Sequence, residues 1–495
     1  MAMPADRPCP TPFNLAAHVL AGAARHPDKI ALAVLSPTRS DRWSYARLEA
    51  RVRATASGLL AQGGQPGDRV LLRLGNTPDF PVAYLAAIAV GLVPVPTSAQ
   101  LTTPEISRLI PQIAPRLILA HDGIALPDPA PCPVLTDFDT LADHPPAPYR
   151  MGDPDDLAYL VFTSGTSGHP RAVAHAHRAI WARRMMHQGW YGLTSADRLL
   201  HAGAFNWTFT LGTGLLDPWS VGATALIPAD GLDPKTLPLL LKRHDASIFA
   251  AAPGVYRQIL RTALPAMPHL RHGLSAGEKL PEPLREHWQQ ATGTPIHEAL
   301  GMSECSTFIS GSPARPAPHH TLGFPQPGRR IAILDDAGQP VPVAETGALA
   351  IQRNDPGLML GYLTKTGFAL PLRGEWFVTG DMVHAQADGS LVYHGRSDDM
   401  LNAGGFRVSP QEIERAFAAL VGDCAAVSVE VRRDTHVIAL AHSSDVAETT
   451  LREHAETCLA RYKQPRLYAR IDALPRGANG KLNRKALPDI IRTAS

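Results

Sequence analysis

Cysteine is scarce in this chain of 495 residues, and the five present (Cys9, Cys132, Cys305, Cys424, Cys458) are scattered without metal-ligand spacing. That excludes a clustered zinc site and a dense disulfide framework, and it fits a reducing, cytoplasmic setting. Long apolar runs are missing too. No stretch approaches the ~20 uninterrupted apolar residues of a membrane-spanning helix, and the N-terminus lacks the basic-then-apolar pattern of a secretory signal. Excess charge of either sign is absent: Lys+Arg number 47 against Asp+Glu 45, a formal net charge of +2. Such a balance gives no support for a nucleic-acid or anionic-membrane partner. There are no internal repeats and no low-complexity tract.

What is there is an ordinary globular composition, 45% hydrophobic and 19% charged, in a chain too long for one core. The 46 prolines gather at segment edges such as Pro127 to Pro133 and Pro145 to Pro148, which marks loops. The pattern predicts helices over 13–26, 45–60, 80–90, 104–113, 178–188, 234–244, 254–264 and 283–293. It predicts strands over 30–35, 68–74, 92–96, 116–120, 157–162, 223–227, 247–251, 270–275 and 295–299. Alternating strands and helices argue for an α/β fold of doubly wound sheets. From about Gly328 short strands and turns suggest a small β-barrel-like subdomain, over about 328–397. After Asp398 a helix (410–420), two strands (425–431, 436–441), a helix (446–461) and a basic tail suggest a small mobile α+β domain. The expected domains are therefore 1–397 and 398–495.

The stretch that organises the chain is Thr163-Ser164-Gly165-Thr166-Ser167-Gly168-His169-Pro170-Arg171, directly after the apolar run Leu157 to Phe162. Gly165 and Gly168 allow a sharp turn and a close backbone approach to an anion. Successive N–H groups in such a turn form an anion-binding concavity. Thr163, Ser164, Thr166 and Ser167 add hydroxyl donors, and Arg171 adds a fixed charge. The stretch reads as a phosphate cradle, though not of the Walker type, which needs Gly-Lys-Ser/Thr opening a helix. Taken alone, it is equally a Ser/Gly-rich surface loop.

Further motifs follow in order: Gly301-Met302-Ser303-Glu304, Thr379-Gly380-Asp381, Gly395-Arg396-Ser397-Asp398-Asp399 and Asn479-Gly480-Lys481. With these five motifs the whole chain resembles the adenylate-forming superfamily of acyl-CoA synthetases, peptide-synthetase adenylation domains and luciferases. It is most similar to medium-chain acyl-CoA and benzoate-CoA synthetases through three stretches. These are Trp207 with Leu216-Asp217-Pro218-Trp219-Ser220-Val221-Gly222-Ala223, Leu274 to Leu280, and Asn402 to Pro410.

The resemblance implies an acid–thiol ligase that makes an acyl adenylate from ATP and a carboxylic acid, then a thioester with coenzyme A, with Mg²⁺ as cofactor. It implies that Thr163, Ser164, Gly165, Thr166, Ser167, Gly168 and Arg171 hold the ATP phosphates. Gly277, Glu278, Leu300, Gly301, Met302 and Ser303 would complete the AMP site, and Glu304 would hold the metal. Asp381 and Arg396 would take the ribose, and Lys481 would bridge carboxylate and α-phosphate. Asp398 would be the hinge, Gly404, Gly405 and Phe406 would line the CoA tunnel, and Phe205, Trp207, Ala276, Gly301 and Phe308 would wall the acyl pocket.

Two positions depart from the superfamily pattern. Arg171 stands where lysine is usual, and a planar fork is not a neutral exchange for an ammonium. Leu300 stands where an aromatic residue often stacks on adenine, and it offers no π face. Three readings stay open: a CoA ligase, an enzyme loading a carrier-protein phosphopantetheine, and a catalytically silent nucleotide-binding protein. The expected assembly is a monomer or homodimer.

Overall fold

Ser44 Oγ accepts a hydrogen bond from the Arg47 amide, and the helix it caps runs Tyr45–Ala61. Glu105 reaches back to Thr102 in a capping box that opens the helix Thr103–Ile113. The helix Asp79–Ala89 is buried from Phe80 to Ala89, as expected of a helix apolar on all sides. These are local choices that the residues dictate, and they anchor a computed structural model. It describes residues 7–163, 170–397, 401–403, 406–432, 435–459, 463–477 and 481–494. The chain forms two units: residues 1–330 with 352–372, and residues 331–351 with 373–495.

The first unit is built on three sheets. The largest has nine strands in the order Phe324–Pro325, Ser306–Ser310, Ile296–Met302, His272–Ala276, Ile248–Ala251, Arg198–His201, Thr224–Pro228, Ile30–Leu35 and Ser40–Ser44. Its six central strands are parallel, and antiparallel pairs close both edges. A second, wholly parallel sheet orders Val93–Pro96, Arg69–Arg73, Leu117–Ala120 and Val134–Leu135. The third is antiparallel: Gly367–Ala369, Gly361–Thr364, Arg171–Ala176 and Leu157–Thr163. Parallel strands covered on both faces read as continuous apolar runs, as Ile248–Ala251 and Leu117–Ala120 do.

The second unit holds a four-stranded sheet, ordered Ile331–Leu334, Gly347–Gln352, Trp376–Ala385 and Leu391–Arg396. A three-stranded sheet of Cys424–Arg432, Thr435–His442 and Leu467–Arg470 is accompanied by the helices Pro410–Val421, Glu448–Cys458 and Leu487–Ala494.

Three expectations need correction. The helix expected over 178–188 is broken into Arg178–Ala182, Arg184–Met186 and a wider turn His187–Tyr191, where Arg183 and Tyr191 both turn inward onto one buried carboxylate. The helix expected to reach 264 ends at Ile259, its last buried residue. Beyond it Pro265 disfavours helical backbone at the residue before it. The basic tail contains the strand Leu467–Arg470 and the helix Leu487–Ala494. Among the described residues, no helix is long and apolar enough to cross a membrane.

The first unit buries several neutral histidines. Burial pushes His201 and His297 down to about 3, and His175 and His272 down to about 4. Their stabilising effect is fully present above the ordinary value of 6.5 and is lost as pH falls towards 4, because the unfolded chain binds the extra protons. The urea midpoint is therefore expected to fall between pH 7 and pH 5. A flat midpoint across that range would contradict the buried, neutral placement.

Candidate active site

The strand Leu157–Thr163 runs to the predicted cradle and Arg171–Ala176 returns from it, with Thr163 directly opposite Arg171. Ser164, Gly165, Thr166, Ser167 and Gly168 lie outside the described residues. Thr163 Oγ1 is buried and without a hydrogen-bond partner among the described residues. Tyr362 lies opposite Val173 on the other side of the returning strand. The exposed Arg171 guanidinium stacks 3.9 Å from the centre of the Tyr362 ring, and the Tyr362 hydroxyl donates to Glu304 Oε1 at 2.7 Å. An exposed cation and a buried carboxylate are thus joined through one phenol.

Glu304 sits where the strand Ile296–Met302 ends and the chain turns back into Ser306–Ser310. Met302 and Ser303 precede it. The Ser303 carbonyl lies 2.7 Å from His175 Nε2, and the Glu304 carbonyl accepts from the Met359 amide at 2.8 Å. Leu300 pairs with Ile309 and Gly301 with Thr307. A Cβ at Gly301 would come within 2.7 Å of Thr307 Cα, so the close strand pairing requires glycine there.

Among the acyl-pocket candidates, Trp207 and Ala276 pack into one apolar cluster with Phe209 and Ala299. Gly277 has φ +97, and a Cβ there would lie 2.5 Å from Trp207 Cζ2. Backbone conformation and indole contact both exclude a side chain. Phe205 lies apart from that group, buried in another cluster against Phe80 at 5.6 Å between ring centres. Phe308 is fully buried, with the Arg329 guanidinium 5.7 Å from its ring. Glu278 follows Gly277 and is partly exposed. Gly277→Ala is expected to displace Trp207, raising KM for the acid by about tenfold and the KM for ATP less. Initial-rate kinetics check this; an unchanged acid KM would separate Trp207 from the pocket.

In the second unit Asp381 and Arg396 stand directly opposite one another in the ladder between Trp376–Ala385 and Leu391–Arg396. Their charged atoms are 3.6 Å apart. Tyr393 donates to Asp381 Oδ1 at 3.0 Å, and Arg396 donates to the Thr379 carbonyl at 2.8 Å. Lys481 is exposed, and its carbonyl accepts from the Gly477 amide at 2.8 Å. Phe406 pairs with Ala403; Gly404, Gly405 and Asp398 lie outside the described residues. Thr163, Arg171, Glu304 and the acyl-pocket candidates therefore share the first unit, and Asp381, Arg396, Phe406 and Lys481 share the second.

A family described as AMP-binding enzyme matches residues 20–363. This chain belongs to the AMP-binding enzyme family. It is 31% identical over 487 residues to the 3-hydroxybenzoate–CoA ligase of Aromatoleum sp. (strain CIB), covering 91% of this chain and 92% of that protein. It is 26% identical to the human mitochondrial acyl-coenzyme A synthetase ACSM2A, over 90% of this chain and 84% of that protein. Among solved structures, the benzoate CoA ligase from Burkholderia xenovorans LB400 superposes with a TM-score of 0.85 at 28% identity, covering 96% of this chain and all of that one (100%).

Several residues of this AMP-binding enzyme escaped the sequence reading. Tyr362 carries no motif signal, since it becomes relevant only through its pairing with Val173. Asn76 holds the loop before Trp207 by donating to the Gly203 carbonyl and accepting from the Phe205 amide, both at 2.9 Å. Arg183 and Asp217 form a buried ion pair whose partners lie 34 residues apart, so no contiguous motif signals it. The chemistry of the donor set suits Mg²⁺. Glu304 offers one carboxylate whose Oε1 takes the Tyr362 hydroxyl, and the described residues contain no cluster of three His, Cys, Asp or Glu. A single carboxylate fits a small hard cation that completes its shell with phosphate oxygens and water.

Proposed function

We propose that this AMP-binding enzyme activates a small aromatic carboxylic acid of the benzoate or hydroxybenzoate class, with ATP, and transfers the acyl group to coenzyme A. What carries the reading is the match to a 3-hydroxybenzoate–CoA ligase along nine-tenths of both chains (91% and 92%). The Trp207 indole packed against Gly277 and Ala276 supports a flat, apolar pocket. Medium-chain alkyl acids form a second reading, favoured by the similarity to ACSM2A.

The chemistry begins with a carboxylate, a poor electrophile. Its oxygen attacks the α-phosphorus of ATP, the bond to the bridging oxygen breaks, and pyrophosphate leaves. The CoA sulfur then attacks the acyl carbon, AMP departs with the bonding pair, and the thiol proton goes to solvent. Negative charge gathers in the first step, so positioned donors and cations do most of the work. Thr163, the cradle and Arg171 hold the phosphates, and Ser303 meets the α-phosphate. Asp381 accepts hydrogen bonds from the ribose hydroxyls beside Arg396, and Gly277, Glu278, Leu300, Gly301 and Met302 enclose the nucleotide. Bound at Glu304, Mg²⁺ supplies neutralising charge for the leaving pyrophosphate. Lys481 bridges the attacking carboxylate and the α-phosphate. Asp398 is the hinge between residues 1–397 and 398–495, and Gly404, Gly405 and Phe406 guide the pantetheine arm.

The deciding experiment follows pyrophosphate release from ATP and Mg²⁺ over benzoate, hydroxybenzoates, butyrate, octanoate, acetate and amino acids, with and without CoA. Turnover with aromatic acids only when CoA is present supports the reading. A single turnover despite CoA points to a carrier-protein acceptor, and no release with any acid in an ATP-binding protein overturns it.

A further inference from the structure

Residues 303–306 carry Glu304, and each of the four is gripped by a group distant in sequence. The Ser303 carbonyl can only accept, so His175 donates its Nε2–H to it at 2.7 Å. The Met359 amide donates to the Glu304 carbonyl at 2.8 Å. Arg329 Nη2 donates to the Cys305 carbonyl at 3.2 Å. Arg183 Nη1 donates to Ser306 Oγ. Ser306 itself has φ +62, a conformation costly for a residue with a Cβ. Such a backbone persists only where its surroundings over-determine it.

Arg183 is itself buried and ion-paired. Its guanidinium meets Asp217 with two parallel hydrogen bonds, Nε–Oδ1 at 2.8 Å and Nη2–Oδ2 at 2.6 Å. The Tyr191 hydroxyl donates to Asp217 Oδ2 at 2.8 Å. A Cβ at Gly212 would lie 2.3 Å from Arg183 Nη2, so the chain leaves a bare backbone where the guanidinium passes. Burial alone would raise the Asp217 carboxyl, but the guanidinium overrides this and holds it below the usual range. The pair is thus ionised inside the protein. Buried ion pairs seldom stabilise a fold more than apolar groups of the same shape, so this one calls for a reason other than stability.

Its position supplies one. Asp217 opens the short helix Asp217–Val221, which continues from the segment Thr210–Leu216, and that segment follows Trp207 in the chain. The Leu211 amide also bonds to the Trp207 carbonyl at 2.9 Å. One guanidinium therefore holds the turn that bears Glu304 and the segment that follows the acyl-pocket indole in the chain. We propose that Arg183, fixed by Asp217, is a positioning residue for adenylation, which locks the Glu304 turn through Ser306 in register with the acid pocket. This rests on reading Glu304 as the metal-binding carboxylate.

The test uses Ser306→Ala in the full chain, which deletes the hydroxyl on the Glu304 turn that Arg183 grips and leaves the ion pair intact. Mn²⁺·ATP and metal-free ATP binding are measured by calorimetry, and the melting temperature is recorded alongside. Charge-assisted hydrogen bonds are strong, so Mn²⁺·ATP affinity is expected to fall about fivefold, with metal-free ATP affinity unchanged; the melting temperature reports separately the folding cost of the guanidinium N–H that loses its partner. Ser306→Gly removes the same hydroxyl and suits φ +62, so it keeps the experiment decisive if the alanine variant folds poorly. The same metal-specific loss is expected of it. Wild-type Mn²⁺·ATP affinity in a folded variant, or equal loss with and without metal, would overturn the proposal. The binding readout needs no acid. If no acid gives turnover while the metal-specific loss stands, the functional reading fails and the positioning role survives.

Discussion

Lys481→Ala is expected to reduce adenylation by about a thousandfold, the scale on which a lost transition-state donor acts, while thioester formation from supplied acyl adenylate changes little. The two half-reactions make different demands. Forming the adenylate brings a carboxylate against a polyphosphate, and the approach of like charges needs a cation between them. Breaking the adenylate has no such repulsion, since the carboxylate charge is gone. Lys481 is exposed, so alanine removes little packing, and surface changes of this kind usually leave stability within about 0.5 kcal/mol. The checks are pyrophosphate release for the first half-reaction, CoA thioester from synthetic adenylate for the second, and a melting curve. Equal loss of both steps in a folded protein would mean that Lys481 acts generally, not as the adenylation cation.

The elements that the sequence made legible share a physical cause: their signals are local. Ser44 caps its helix through its own side chain, Gly293 ends another at φ +75, and Ile30–Leu35 is an apolar run that lies where it was expected. Arg171–Ala176 is different. Three alanines and a histidine beside a single valine give little strand preference, and the segment is a strand because Leu157–Thr163 and Gly361–Thr364 pair on either side of it. The site divides the same way. Thr163, Glu304, Asp381 and Lys481 stand in contiguous motifs, and their proposed roles come from the family resemblance those motifs carry. Tyr362, His175, Arg183 and Asp217 act through pairings across the fold; Arg183 lies 123 residues from Ser306 and 34 from Asp217. No window of sequence contains both partners of such a contact. Phe205 likewise packs against Phe80, a partner far from it in sequence.

Glu304→Gln is the sharpest probe of the metal site, because it changes charge while keeping shape. The glutamine carbonyl can still accept the Tyr362 hydroxyl that Glu304 Oε1 accepts at 2.7 Å, so the turn and its anchors should stay in place. What is lost is the anionic oxygen that a hard cation requires. The expected result is a rise in the Mg²⁺ concentration for half-maximal rate and a fall in adenylation kcat of about a hundredfold or more. The KM for the acid should remain near wild type, since the pocket indole at Trp207 packs against Gly277, not against this carboxylate. Tyr362→Phe provides the comparison. It leaves the Glu304 charge but removes the hydroxyl that orients it and keeps a ring for Arg171 to stack on. Its effect should therefore be smaller and should appear mainly in Mg²⁺ dependence. Titrating Mg²⁺ at saturating ATP and acid separates the outcomes. If Glu304→Gln left the Mg²⁺ dependence unaltered, the carboxylate would be a structural acceptor for Tyr362, and the metal would have to be held by the phosphates alone.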